Sequence, residues 1–546
     1  MKTYTEEKRI RPDILTAALY WSIVIMMLYN IISVRIFGDK GAYFSSGPLT
    51  LYFFLYVSFV LAVQKAVYIM VRIRARRSQF INAEINMQRS FRIFIFAGIM
   101  IAALIIGFSM VIARNLFGAG KIYLHFILIG VSLIFLCSQG VLRGYLQGLG
   151  YTKPIIVSDL LISVISFGTG AIISGFLYNY GKKVNALFHG DEYSAIYGAS
   201  GMVIGVLIGS IAGFIQISIS MMLRKAEIAD IVKNGAPRYL DNKNDVLTGL
   251  RSIIYLYASP LLVLIVDIVF FNLLHIKNGD IEELTPLIGA FSGRIISFVI
   301  LASFLCCIPF IKSWNRVMAR IERDELEGAR DRLKRLLHFE AMLIIPVCIF
   351  LFAASKEMQI VLFGKYSALI GDAYPWAAFM VLFLSASVFI SWLLNHMGKS
   401  ILIVVNLSIA WASHVALVIL FVIVLKKDML GIIWALLISF CVYDILSFVM
   451  LFKMLKYRHN LVRNLGFPAL SAALSGLMLL LIEKLLVDRI GEVLTVLIGA
   501  VIYFVLYMVI LIILKGVSAE ELEKIPLGRL FMGLSSVLQH DRFYED

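Results

Sequence analysis

Residues 286–311 read PLIGAFSGRIISFVILASFLCCIPFI, a run of 26 positions with a single charge, Arg294. Crossing the roughly 30 Å hydrocarbon layer takes about 20 apolar residues in a helix. The other backbone that satisfies its own polar groups in lipid is a closed β-barrel, whose strands are short and alternate apolar with polar. This run is long and does not alternate, so its pattern predicts a membrane-spanning helix.

Thirteen further runs of the same kind lie near 15–37, 48–71, 91–113, 123–142, 154–178, 195–223, 252–276, 337–355, 374–396, 400–425, 429–452, 466–483 and 493–515. They fill most of a 546-residue chain that is 60% hydrophobic and only 16% charged, with a mean hydropathy of +0.90. A water-soluble fold cannot hide that much apolar surface, whereas a bilayer solvates it. The expectation is an all-α polytopic membrane protein with fourteen transmembrane helices.

Cytoplasmic loops collect Lys and Arg. Placing residues 1–14 in the cytoplasm puts most of the 50 Lys and Arg inside. Arg72, Arg74, Arg76 and Arg77 follow the second run, and Arg316, Arg320, Arg323, Arg330, Arg332, Lys334 and Arg335 follow the eighth. The loop before the eighth is acidic (Asp280, Glu282, Glu283). An even span number returns the C-terminus to the cytoplasm. The net charge of +15 is largely this positive-inside signal, matched to anionic inner-leaflet lipid, so nucleic acid is not an expected partner. The first run is too long for a signal-peptide core and is expected to remain as a span. All five cysteines (Cys137, Cys306, Cys307, Cys348, Cys441) fall within spans and read as small hydrophobes. No disulfide, metal site or cofactor is expected, and without a phosphate-binding loop the chain does not read as an ATP-driven pump.

The chain echoes itself at a shift of 246 residues. That shift pairs Arg77 with Arg323, Ala83 with Ala329, Arg89 with Arg335 and Lys153 with Lys399. The echo predicts a lobe of spans 1–6 over 1–223, a cytoplasmic linker at 224–251 containing Gly235 and Pro237, and a second lobe of spans 7–12 over 252–452. Two extra spans cover 453–515, and a cytoplasmic amphipathic tail covers 516–546. Six is even, so both lobes enter from one side, giving a V-shaped, pseudo-two-fold arrangement about the membrane normal. The segment 316–338 reads as one amphipathic interfacial helix. Ser518 and Glu521 stand at capping-box spacing, starting a short helix that stops before Pro526.

Span four ends Leu142-Arg143-Gly144-Tyr145-Leu146-Gln147-Gly148-Leu149-Gly150-Tyr151-Thr152-Lys153-Pro154. This resembles the turn of the polysaccharide-transporter branch of the multidrug/oligosaccharidyl-lipid/polysaccharide exporter superfamily, which includes the lipid II flippases and the stage V sporulation protein B group. Further elements resemble that branch in the same order: Arg35-Ile36-Phe37-Gly38-Asp39-Lys40-Gly41, Tyr197-Gly198-Ala199-Ser200-Gly201 with Gly205 and Gly209, Ser259-Pro260 with Asp267, and Ser518-Ala519-Glu520-Glu521-Leu522. The resemblance implies a flippase for an undecaprenyl-pyrophosphate-type lipid-linked oligosaccharide or peptidoglycan precursor. Alternating access in a bacterial cytoplasmic membrane would move it, with a proton or Na⁺ as candidate coupling ion.

Charges within hydrocarbon are costly and face a cavity or a partner. Lys65, Arg294 and Arg35 are the cations of spans two, eight and one. The resemblance implies a central cavity where they meet a lipid pyrophosphate, with Asn30 of span one beside them. Guanidinium and ammonium groups suit phosphate oxygens; the bland alternative is snorkelling to the interface. Asp267 and Arg294 both sit roughly 12–14 Å below the outer surface on antiparallel neighbours. They are expected to pair, either permanently or until anionic cargo breaks the pair. Asp159 and Asp444 read as coupling-ion sites or as local caps. Arg143 and Lys153 flank a cytoplasmic turn and read as positive-inside charges, His414 as a helix-packing histidine, and Gly201, Gly205 and Gly209 as a packing stripe. Two other function classes stay open: an ion-coupled multidrug or cation antiporter of the same superfamily, and an intramembrane acyl- or glycosyltransferase resting on His414, Asn395 and His396.

Overall fold

A computed structural model describes residues 12–236, 245–278, 281–456, 462–523, 528 and 530–533. Among them the chain is helical throughout, with no strand. The long helices are α1 (Pro12–Tyr56), α2 (Val63–Arg76), α3 (Phe80–Gly107), α4 (Tyr123–Gly148), α5 (Lys153–Phe188), α6 (Tyr193–Leu223), α7 (Asp245–Asn278), α8 (Ile281–Ala290), α9 (Ser297–Cys307), α10 (Ile311–Glu322), α11 (Leu326–Ala353), α12 (Tyr374–His396), α13 (Ser400–Val418), α14 (Asp428–Met454), α15 (Phe467–Ile490) and α16 (Glu492–Ile513).

Thirteen helical stretches of the described residues are long and apolar enough to cross a membrane. The first, Asp13–Arg76, runs 64 residues and contains both of the first two apolar runs. A straight helix of that length would be about 96 Å long, three times the hydrocarbon layer. It is not straight. Gly38 leaves helical geometry at φ 72°, ψ −172°, a region that glycine alone reaches without strain. The expected loop between the first two spans is thus a break at one residue, and all fourteen runs are accounted for. The chain is a polytopic helical membrane protein.

The 246-residue echo reappears in the backbone. Helices α3 and α11 both hold 28 residues, and their start and end positions differ by 246. The turns before them match bond for bond. Gln79 N donates to Arg74 O at 2.9 Å, and Glu325 N to Arg320 O at 3.0 Å. Between them Ser78 (φ 57°) and Asp324 (φ 60°) both take the left-handed conformation. Ala83 and Ala329 are wholly buried one turn later.

The chain divides into two compact units, one of Met1–Ile308 with Lys399–Trp411, the other of Pro309–Gly398 with Ala412–Asp546. In each, one proline inside a span frees a carbonyl four residues back that a neighbour answers. Pro48 in α1 frees Phe44 O, which lies 3.3 Å from His125 Nδ1 on α4. Pro346 in α11 frees Met342 O, which accepts from Tyr507 of α16 at 3.0 Å. Tyr503 donates to the Pro346 carbonyl at 2.9 Å, so both tyrosines of α16 fasten the last span to α11.

Two sequence expectations change and a third is met. The segment 316–338 is not one helix: it is split at Asp324, with Arg320 and Glu325 ion-paired across the turn at 2.6 Å. The linker 224–251 is partly helical, at Lys225–Lys233 and from Asp245; its Pro237 and the acidic Asp280 lie outside the described residues. The capping box forms, Ser518 N donating to Glu521 Oε2 at 2.9 Å, while Pro526 and most of the tail lie outside the described residues.

Candidate functional site

A cavity of about 50 Å³ opens within the first unit, between α1 on both sides of Gly38, α7, α9 and the wide π turn Phe291–Ile296 that joins α8 to α9. Such turns interrupt helices where function needs an odd backbone. The polar lining is Asn30, Ser33, Ser45, Ser46, Thr50, Ser292 and Ser297; the rest is apolar, and no charged side chain is on the wall. Serines inside helices bond back to their own carbonyls. Ser33 donates to Tyr29 O at 2.8 Å, Ser46 to Tyr43 O at 2.8 Å and Thr50 to Ser46 O at 2.7 Å. Ser292 donates to Ile288 O at 2.8 Å and Ser297 to Ser292 O at 3.2 Å.

Arg294 follows Ser292 and Gly293 in the π turn and is 1% exposed. Its guanidinium holds Asp39, the residue after the α1 break, by Nε to Oδ1 at 2.6 Å and a second nitrogen to Oδ2 at 3.2 Å. Fork-to-carboxylate pairing of this kind is the strong, orienting form of ion pair. Close approach makes it feasible. A methyl group at Gly289 would lie 1.8 Å from the Asp39 carbonyl oxygen, and one at Gly293 would lie 2.7 Å from Val34 and 2.8 Å from Ala42. Sequence reasoning looked for Arg294's counter-ion on span seven and missed Asp39. The available signal was a carboxylate directly after a glycine in the Arg35–Gly41 motif. Asp267 is buried, 3% exposed, and engaged within the protein.

The structure brings Asn30 to the cavity wall; Arg294 is the next residue after the wall residue Gly293 but does not line the cavity. The structure does not bring Lys65 or Arg35 to that wall. Lys65 is half-buried on α2, its Nζ 5.7 Å from the Tyr68 ring centre, and Arg35 is exposed.

Arg143 is a correction. Helix α4 continues to Gly148, which draws Arg143 out of the turn and into the protein, where it is wholly buried. It donates to Asp159 Oδ1 of α5, and Tyr56 donates to the same oxygen at 3.4 Å. The polar seam continues: Tyr56 stacks on Tyr52, whose hydroxyl lies 2.9 Å from Ser210 Oγ, and Gln139 donates to Ser210 O at 2.8 Å. Asp159 therefore already has a cation. Lys153 is exposed.

Asp444, in the second unit, differs. It is 5% exposed, accepts from Ser387 at 2.7 Å through Oδ1, and its Oδ2 has no hydrogen-bond partner among the described residues. Where α5 passes to α6 in the first unit, Lys40 of α1 holds Asp191 at 2.5 Å and Lys121 holds Glu192 at 2.6 Å. The Lys40 ammonium keeps the Asp191 carboxyl below its ordinary range.

No protein-family model matches the sequence, nor does any curated protein. Solved structures do. A lipid II flippase, MurJ, in an inward closed conformation is similar at 16% identity and a TM-score of 0.54, over 91% of this chain and 97% of that one. An inward-facing multidrug-resistance MATE transporter of the MOP superfamily is similar at 15% identity and 0.54, over 81% and 99%. A eukaryotic MATE transporter is similar at 12% identity and 0.54, over 81% and 96%. At such identities the likeness speaks for architecture, and the fold of this chain is the one these transporters share.

Proposed function

We propose that this protein is a flippase of the MOP fold that carries a lipid-linked oligosaccharide or peptidoglycan precursor, of the undecaprenyl-pyrophosphate type, across a bacterial cytoplasmic membrane. The observation that carries the reading is Arg294: a guanidinium buried in a span, next to a hydroxyl-lined cavity, with a carboxylate as its counter-ion. A pyrophosphate oxygen is chemically equivalent to that carboxylate as a guanidinium partner. Arriving cargo would take Asp39's place, and the released Asp39 would loosen the break at Gly38, coupling binding to movement of span one. Two lobes, 1–223 and 252–452, would rock about the bound head group while the lipid tail stays in the bilayer. The basic loops support a topology with both termini in the cytoplasm. Proteoliposome translocation of a defined lipid-pyrophosphate sugar tests this, since an inert protein in that assay would end the flippase reading.

One observation bears on ion coupling and leaves room for a second reading, the ion-coupled antiporter. A carboxylate as buried as Asp444, with one hydroxyl donor, is stable at membrane depth only with a proton or a cation aboard. A proton or Na⁺ there would serve either a flippase or a drug antiporter. Asp444→Asn should leave folding intact and abolish the response of transport to an imposed ion gradient. Gradient-driven efflux of a cationic dye by the wild type, with no movement of lipid-linked sugar, would decide for the antiporter.

A further inference from the structure

Besides Asp444, the second unit holds another buried carboxyl group without a cation, Glu340 of α11. It lies three residues past the start of the apolar run 337–355 and is 7% exposed. Its Oε1 accepts from the indole Nε1 of Trp314 on α10 at 2.5 Å. Trp314 is itself 1% exposed and packs on Phe389 and Trp392 of α12, with ring centres 5.3 and 5.6 Å away. Among the described residues no ion pair reaches Glu340. The charged and titratable groups of the surrounding elements are engaged elsewhere. On α10, Lys312 and Arg316 are exposed and Arg320 holds Glu325 at 2.6 Å. On α11, His338 faces Glu521 at 3.7 Å, and Arg463 of the π turn Val462–Gly466 holds the same carboxylate at 3.3 Å. On α12, His396 is exposed and stacks on Trp392, ring centres 4.1 Å apart. On α15, Glu483 lies by Glu357, which follows the far end of α11. On α16, Tyr503 and Tyr507 are bonded to the Pro346 and Met342 carbonyls.

A buried carboxylate with a single neutral donor leaves its charge almost unpaired, a cost that one proton removes. The acid form fits where the anion does not. Oε1 keeps the hydrogen of Trp314, and Oε2, which has no partner among the described residues, has room for the proton. Unlike Asp444 Oδ2, Glu340 Oε2 is not fully enclosed, so its proton can exchange. One helix touches both acids. Within six residues of α12, Ser387 donates to Asp444 at 2.7 Å while Phe389 and Trp392 pack on Trp314. We infer that Glu340 is a proton-binding site of the second unit, distinct from Asp444, whose exchangeable proton sits on Oε2 while Trp314 holds Oε1. The site is independent of cargo and stands whether the protein is a flippase or an antiporter.

The indole that holds Glu340 also reports on it. The test follows tryptophan emission of the full-length protein in detergent as pH is varied. It is done in a His396→Gln background, which removes the exposed imidazole stacked on Trp392. Emission should change in a single-proton step between about pH 5 and 10, the range over which a buried carboxyl with no cation exchanges its proton. That step should vanish in Glu340→Gln, which keeps an acceptor for Trp314 but cannot ionise, and in Trp314→Phe. It should persist in Asp444→Asn. Infrared spectra on the acid side of the step should show the C=O band of a protonated carboxyl that Glu340→Gln lacks. Size exclusion and thermal unfolding confirm that each variant is folded. A purely structural Glu340–Trp314 contact would give no step, and that result would overturn the inference. So would a step that survives Glu340→Gln, or one that Asp444→Asn removes. None of these measurements needs a transported cargo, so a failure of the flippase reading would leave this result standing, and the reverse.

Discussion

Arg294 and Asp39, 255 residues apart in sequence, meet in a two-point ion pair at the one non-helical residue of α1. The guanidinium is 1% exposed and the carboxylate 14%. The pair fixes two things at once. It neutralises a charge that lipid or protein interior would not tolerate, and it ties the Gly38 break to the π turn Phe291–Ile296.

Removing one partner of such a pair leaves the other buried and uncompensated, which costs about 3–5 kcal/mol. Asp39→Asn and Arg294→Gln alone should each lower the thermal unfolding temperature in detergent. The double variant should recover most of the loss. Additive losses would mean the pair contributes nothing beyond its separate members.

The Arg143–Asp159 pair is more deeply buried, at 0% and 3% exposure. Arg143→Met should destabilise by about 3–5 kcal/mol, while Arg143→Met with Asp159→Leu should come close to wild type. Denaturation of the two variants side by side checks this. If the double variant is as unstable as the single, the seam through Tyr56 and Tyr52 is what fails, not the uncompensated charge.

Glycine 289 is a contact rather than a hinge. Alanine there would press its methyl onto the Asp39 backbone oxygen, and backbone cannot swing aside as a flexible side chain would. Gly289→Ala should destabilise and should lose transport along with the Asp39–Arg294 pair. Gly168 in α5 has open space where a methyl would go, so Gly168→Ala should stabilise by about 0.4–1 kcal/mol. Equal melting temperatures for the two variants would show that the close approach is absent.

Asp191, between α5 and α6, gives a pH signature. Lys40 lowers its folded-state proton affinity, so the stabilisation is fully present above the unfolded carboxylate range and fades as pH falls through the lower folded value. The pair is exposed, so the effect stays within about 1 kcal/mol and shrinks with salt. Melting curves from neutral to acidic pH should show a small extra loss in wild type that is missing from Asp191→Asn. Parallel curves would remove Lys40 as the cause.

The span pattern was legible because lipid imposes it: a run such as 286–311 has no other stable use. The 246-residue echo was legible from four residue pairs and proves to be a repeated turn with matching left-handed residues at Ser78 and Asp324. Partners across the fold were harder. Asp39 lies outside the first apolar run, so it read as loop, and nothing in local spacing points from it to Arg294. Arg143 read as a loop charge because its helix runs further than the apolar run does.

The decisive comparison is translocation of a lipid-pyrophosphate sugar by wild type and by the Asp39→Asn, Arg294→Gln double variant, whose fold should survive because both charges leave together. On the proposed reading a positive side chain at position 294 gives the phosphate its path, so the double variant should stay folded and lose at least roughly 90% of the rate, one ten-fold step in transition-state binding. A folded double variant that flips cargo at the wild-type rate would contradict that role for Arg294.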